Sequence, residues 1–416
     1  MVKIKPFRAV RPKPGFAKRV ASRPYDVLSS REAKAESAGN PESFLHITKS
    51  EIDLPDNIDI HSKQVYDKAK ENLEAFLKKG ILYSDDMACY YIYQLVMAGQ
   101  GIAGDGWNQT GLVCVSSLDD YESGIIKKHE LTRPDKELDR INHIKTTGAQ
   151  TGNVFLTYQT DETLHKSIED WKSSHHPEYD FIAEDGVQHI VWVINDDVTN
   201  DRITKLFADR ISSTYIADGH HRAASAAKVR TALKDKNPEQ ADYFLTTLFP
   251  SDQLHILDYN RVVKDLNGLT EEELLKRLEK DFLVGKTEKA FSPKHLHEFG
   301  MYLNGSWYEL IAKEGSYRED PIGLLDVTIL QENVLDRILS IQDPRTDSRI
   351  DFVGGIRGLE ELEKRVDHGE WKLAFSLHPV SIQQLFDIAD SGQVMPPKST
   401  WFEPKLRDGL FTHLIY

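Results

Sequence analysis

Apolar and polar positions along this chain follow two periods, and the switches between them mark its elements. Apolar residues at helical spacing over Ser62–Lys79, closed by Gly80, predict an amphipathic helix. The aromatic and β-branched run Tyr90–Met97 predicts a buried strand, and Gly99 to Trp107 reads as a loop. Gly111–Ser116, Val154–Gln159, Val187–Ile194 and Ser213–Ala217 predict further strands, with Tyr243–Pro250 and His255–Tyr259 as adjacent ones. Trp307–Ala312 and Lys372–Leu377 read the same way. Helices are expected at Ser30–Ser37, over most of His129–Gly148, and at Arg222–Leu233, Leu274–Phe282, Thr328–Leu339 and Ile382–Asp390. The stretch before residue 40 carries Pro6, Pro12, Pro14 and Pro24, which predict extended segments and turns. The mixture predicts an α+β fold with a mixed β-sheet and flanking helices.

Composition narrows the class. The 416 residues are enough for two or three domains, and 40% hydrophobic with 28% charged residues allows a buried core. A net charge of −14 opposes nonspecific binding to nucleic acid or to an anionic membrane. Cys89 and Cys114 sit in apolar company and read as buried, inert thiols, and two cysteines make neither a disulfide framework nor a zinc site. No apolar run reaches membrane-spanning length and the basic N-terminus lacks a following apolar block, so a cytoplasmic location is expected.

The candidate chemistry concentrates at one joint. In Thr214-Tyr215-Ile216-Ala217-Asp218-Gly219-His220-His221-Arg222 an apolar strand runs into the alanine-rich helix Ala223–Ala227. A helix N-terminus offers amides without intrahelical partners and a partial positive charge. Arg222, His220 and His221 there make an anion site, most naturally for phosphate. Gly219 lets the backbone turn and approach a ligand. Asp218 can hold a metal ion or orient a hydroxyl. The competing reading has Asp218 as a simple helix cap and its neighbours as solvated surface. Five consecutive residues of this kind between a buried strand and a small-residue helix weigh against it.

Two other segments carry suitable groups. Lys127-Lys128-His129-Glu130 places a glutamate before a charged segment, where it either opposes the helix dipole or serves as a general base. Near the C-terminus, the loop Gly392–Lys405, with Met395-Pro396-Pro397-Lys398-Ser399-Thr400 within it, joins a stiff backbone to an ammonium and two hydroxyls, a composition that suits phosphate oxygens or a structural plug. Of the remaining candidates, His175-His176 reads as a solvated loop, His189 as a satisfied core histidine, and Asn195-Asp196-Asp197 as a turn. Pro24-Tyr25-Asp26 can reach a site from the N-terminal region, and Arg261 is expected at the surface.

The order of these three segments resembles the free-serine kinases of the ParB/sulfiredoxin-like superfamily. Those kinases carry H-E near a helix start, V-D-G-H-H-R at a strand-to-helix joint and a late P-K-T-T loop. Here the matches are His129 and Glu130, Ala217 to Arg222, and Pro397 to Thr400. The wider chain, with R-P-Y-D-V early and M-P-P-K-S-T late, is similar to a bacterial family labelled only as a domain of unknown function. The resemblance implies an N-terminal α/β region over 1–120, a ParB/sulfiredoxin-like catalytic core over 121–265, and an α+β region with the P-P-K-S-T loop over 266–416. It implies phosphoryl transfer to free L-serine, giving O-phospho-L-serine. Glu130 would be the base, with Asp218 and His221 also catalytic and His129 and Asp218 touching substrate. Gly219, His220, His221, Arg222, Lys398, Ser399 and Thr400 would hold phosphate, and Asp218 would hold Mg²⁺. The expected partners are L-serine and a phosphate donor, with no nucleic acid or membrane and with room for a homo-oligomer. No Walker glycine loop and no adenine pocket is visible, so ATP, ADP and pyrophosphate all stay open as donors, and pyrophosphate would make the reaction reversible. The rival readings are a ParB-like nucleotide switch and a metabolite-binding regulator. A sulfiredoxin-like reductase needs a cysteine where this chain has His220.

Overall fold

The structure is a computed structural model that describes residues 1–97, 106–234 and 236–416. Most of the loop expected over Gly99 to Trp107 lies outside the described residues. The chain forms two compact units, one of Met1–Leu254 with Pro404–Tyr416 and one of His255–Glu403.

The first unit is built on a mixed sheet of nine strands among the described residues. In chain order these are β1 (Ile4–Lys5), β2 (Tyr90–Met97), β3 (Trp107–Ser117), β4 (Ile126–Lys127), β5 (Val154–Tyr158), β6 (Tyr179–Ile182), β7 (Val187–Ile194), β8 (Thr214–Asp218) and β9 (Tyr243–Pro250). Across the sheet the order is β4-β8-β5-β9-β3-β2-β7-β6, with β1 on β3. Only β4–β8 and β5–β9 pair in parallel; every other neighbour is antiparallel. Its longest helices are α1 (Lys63–Lys78), α2 (Pro134–Thr147), α3 (Glu162–Ser174), α4 (Asp197–Arg210) and α5 (His220–Lys234). Asp161 and Asp196 cap α3 and α4, each accepting a backbone N–H three residues on; where a turn is expected at Asn195–Asp197, Asp196 caps the helix that Asp197 begins. One core joins both layers through Ile92, Leu112, Leu156, Ile216 and Leu248 of the sheet and Ile168, Ile203 and Phe207 of the helices. Burying such apolar side chains is worth about 1.5–3 kcal/mol each and sets which face each strand presents.

The second unit holds an antiparallel sheet of β10 (Tyr259–Val263), β11 (Phe282–Thr287), β12 (Glu298–Leu303), β13 (Ser306–Ala312), β14 (Ile350–Gly354) and β15 (Leu373–Leu377). Their order is β11-β13-β12-β15-β10-β14. Asn304 and Gly305, both at positive φ, close the β12–β13 hairpin in the way a two-residue turn demands. Helices α6 (Glu271–Leu278), α7 (Leu359–Asp367) and α8 (Ile382–Asp390) complete the unit.

Local differences from the pattern have plain causes. The helix expected over Leu274–Phe282 ends at Leu278, because Phe282 is taken into β11 by pairing with Ala312. The region His129–Gly148 is helical only from Pro134, whose fixed φ suits a first helical turn. His255–Tyr259 breaks at Asp258: His255–Leu257 pairs with Trp401–Glu403, while Tyr259 opens β10.

Candidate active site

Strands β4 and β8 run parallel, with Thr214 opposite Ile126 and Tyr215 opposite Lys127. Parallel neighbours end at the same edge, so β4 leads into His129-Glu130 beside the point where β8 leads into Asp218-Gly219 and α5. This register joins two motifs that lie almost ninety positions apart. The carboxyl ends of parallel strands are where ligands bind in open sheets.

The joint itself depends on glycine. Gly219 has φ +93°, and a Cβ there would lie 3.4 Å from the Val154 backbone. Its carbonyl accepts the Ala223 N–H and starts α5. Small residues keep the next turn close to α2, where the Ser225 hydroxyl donates to the Glu137 carbonyl at 3.1 Å.

On one flank the His129 and His220 rings meet edge to face, centroids 4.6 Å apart at 88°. Glu130 Oε2 lies 3.8 Å from His220 Nδ1. Both imidazoles are buried, and both nitrogens of His129 and Nε2 of His220 have no hydrogen-bond partner. Burial brings His129 down to about 4 against the pull of Asp218, and burial followed by His129 drives His220 far below its usual range. These are neutral rings, each with a donor and an acceptor to offer. His221 is placed differently: its Nε2 accepts the Arg133 N–H at 3.0 Å, which ties the first turn of α5 to the start of α2.

Asp218 stands between the flanks. Its Oδ1 accepts the Gly219 N–H at 2.8 Å and its Oδ2 accepts from Lys405 Nζ at 3.1 Å. Burial works to raise its pKa, but Lys405 and then Arg222 outweigh burial and hold it below the usual carboxylate range. Among the described residues no cluster of three His, Cys, Asp or Glu side chains could cage a metal. Both Asp218 oxygens already have donors, so a Mg²⁺ on this carboxylate would share Oδ2 with the Lys405 ammonium.

On the other flank Arg222 is enclosed. Its Nη1 donates to the Asn153 carbonyl at 2.7 Å and its Nη2 to both oxygens of Asp26 at 3.0 and 3.1 Å. The Tyr25 ring lies between two guanidiniums, 3.8 Å from that of Arg140 and 5.3 Å from that of Arg222. Burial opposes the charge on Arg222, but Asp26 and Asp408 overcome it and its pKa is raised.

Lys398, Ser399 and Thr400 belong to the second unit. Lys398 has φ +62°, and its carbonyl accepts Arg261 Nη2 at 2.9 Å. Ser399 is buried and its hydroxyl donates to the Pro396 carbonyl at 2.6 Å. Thr400 precedes the short strand Trp401–Glu403. Arg261, expected at the surface, is 3% exposed because β10 is interior to its sheet, and burial brings its pKa down to about 10.

The sequence also left residues unassigned. Lys405 and Asp408 lie in a tail with no periodic signal. Gly152 and Asn153 carry no motif, and in the Pro24-Tyr25-Asp26 segment it is Asp26 that reaches Arg222. His189 is a satisfied core histidine, with the Tyr93 hydroxyl 2.7 Å from Nδ1, and both cysteines are free and buried, as their surroundings implied.

The chain is thus a mixed α+β protein with buried polar side chains gathered at a strand-to-helix joint. The chain belongs to the family described as Protein of unknown function (DUF1015), which it matches over residues 4–328. No curated protein matches it. Solved structures similar to the chain include a conserved hypothetical protein from Pyrococcus furiosus, at 15% identity and TM-score 0.35, covering 72% of this chain and 94% of that one. A free serine kinase in complex with AMP is similar at 14% identity and TM-score 0.36, covering 72% and 91%. SbnI with a C-terminal truncation, from Staphylococcus aureus, is similar at 12% identity and TM-score 0.40, covering 73% and 87%. No helix of the described residues is long and apolar enough to cross a membrane.

Proposed function

We propose that this protein is a phosphotransferase that phosphorylates free L-serine, with residues 121–265 as a ParB/sulfiredoxin-like catalytic core. The observation that carries this reading is the meeting of Glu130, His129 and His220 at the start of α5, with three buried ring nitrogens left without partners. Buried polar atoms in a folded protein find partners, so a cluster of orphans calls for a ligand. The resemblance in motif order supplies the chemistry.

In this reading the seryl oxygen attacks the terminal phosphorus of the donor, and the bond from that phosphorus to the bridging oxygen breaks. Glu130 takes the hydroxyl proton. Pyrophosphate then leaves as phosphate, ADP as AMP, or ATP as ADP. The first-turn amides of α5 and the neutral His220 and His221 donate to phosphate oxygens. Phosphoryl transfer rewards such positioning and charge neutralisation more than covalent chemistry. A Mg²⁺ on Asp218 would neutralise charge spreading over the phosphoryl oxygens. The enclosure of Arg222 gives it a different part from the one its motif implies: it braces Asn153 and Asp26, and its field still reaches the phosphates.

The test is direct. The protein is incubated with Mg²⁺, L-serine and, in turn, pyrophosphate, ADP and ATP, and O-phosphoserine is measured. Product with at least one donor is expected. No product with any of the three removes the reading.

A further inference from the structure

The second flank of the joint contains a cluster that the phosphoryl chemistry does not use. Asp408 is buried at 3% exposure, and its Oδ2 has no partner. Arg222 Nε, Asn153 Oδ1 and Ser22 Oγ are also buried without partners. They fall in two pairs: Ser22 and Asp408 exchange backbone hydrogen bonds, and Asn153 holds Arg222 through its carbonyl. A Cβ added at Gly152 would stand 3.0 Å from Asp408 Oδ1 and 3.4 Å from Arg222 Nε. The acid and the guanidinium therefore flank one point in space, which a side chain at position 152 would crowd. Beside it lies a cavity of about 30 Å³, room for a water-sized group, which Gly152 and Arg222 line together with Tyr25, Arg140 and apolar residues such as Val154 and Phe244; Asp408, Asn153 and Ser22 lie outside its lining.

The orphans divide by chemistry. Asp408 Oδ2 and Asn153 Oδ1 are acceptors with nothing to accept from. Arg222 Nε is a donor, and Ser22 can donate. Burying such groups unpaired is costly, so a ligand that completes them gains what the empty site forgoes. A ligand made of one ammonium and one carboxylate on a single carbon matches this set. Burial pushes Asp408 up to about 7 in spite of Arg222, and an ammonium would stabilise its charge.

We propose that Asp408, Asn153, Arg222 and Ser22 form the recognition site for the head group of an α-amino acid. The ammonium donates to Asp408 and Asn153, and the carboxylate accepts from Arg222 Nε and Ser22. Asp26, already on Nη2 of Arg222, holds the guanidinium in place. This assignment rests on the acceptor being an amino acid, and it names the residues that select one.

Equilibrium binding of labelled L-serine to the full chain separates the possibilities. L-alanine, which keeps the head group and lacks the hydroxyl, should compete. 3-Hydroxypropionate, which lacks the ammonium, and ethanolamine, which lacks the carboxylate, should not compete at tenfold higher concentration. Asp408→Asn should weaken L-serine binding at least tenfold and leave pyrophosphate binding unchanged. Gly152→Ala, which only narrows the gap, should weaken L-serine in the same direction and covers the case in which the first variant fails to fold. Intact L-serine affinity in both variants, absence of competition by L-alanine, or no L-serine binding by the unaltered protein would each overturn the assignment. L-serine binding that passes these checks in a protein that makes no O-phosphoserine would overturn the transferase reading and uphold this one.

Discussion

The two flanks of the joint in the first unit are both buried and both contain polar atoms without partners, yet burial has opposite consequences in them. On the His129–His220 side Asp218 and Glu130 are near, but burial outweighs Asp218 and, for His220, the neighbouring His129 adds to burial, so the imidazoles are neutral. On the Arg222 side the charge persists, because Asp26 and Asp408 surround a group that can hardly lose its proton. Both places are buried, and what differs is whether the counter-charge outweighs burial. The difference assigns the flanks different work. Neutral rings beside Glu130 can donate and accept around a reacting oxygen, whereas a fixed ion network suits recognition of a charged head group.

The sharpest way to break this division is Glu130→Gln. Turnover should fall by about 10²–10⁴-fold, the usual worth of a positioned base, with donor and serine binding nearly unchanged. A variant as active as the parent would show that the histidine flank is not where the proton leaves. Next in size is Arg222→Met. It leaves Asp26 and the Asn153 carbonyl without their cation and should cost the first unit about 3 kcal/mol in urea unfolding, the low end for a broken buried pair because Asp26 is partly exposed. A loss under about 1 kcal/mol would mean that the ion network is decoration.

The last effect is in pH dependence, and its sign differs between the flanks. His129 has a folded value of about 4 against the ordinary 6.5, so the unfolded chain binds the proton first. Its contribution is present above 6.5 and is lost as pH falls toward 4. Asp408 has a folded value of about 7 against 3.8, so the folded chain binds the proton first. Its contribution is present below 3.8 and is lost as pH rises toward 7. Stability profiles should therefore lose one slope in His129→Asn and the opposite slope in Asp408→Asn. Profiles that change in the same direction would erase the distinction.

Much of this protein was set by local sequence. Runs such as Tyr90–Met97, Val187–Ile194 and Tyr243–Pro250 became strands over those same residues, because apolar and β-branched patterning acts over a few neighbours. Gly219 was legible as the pivot of the joint because few residues other than glycine adopt its backbone angle. The tertiary structure alone decided partners. Parallel pairing of β4 with β8 brought Glu130 to His220. The chain's return over Pro404–Tyr416 supplied Lys405 to Asp218 and Asp408 to the Arg222 side, and a segment near residue 25 closed on Arg222. Periodicity records which side of an element faces the core. Which distant side chains share a cavity depends on strand register and chain return, and no neighbour-to-neighbour pattern encodes those.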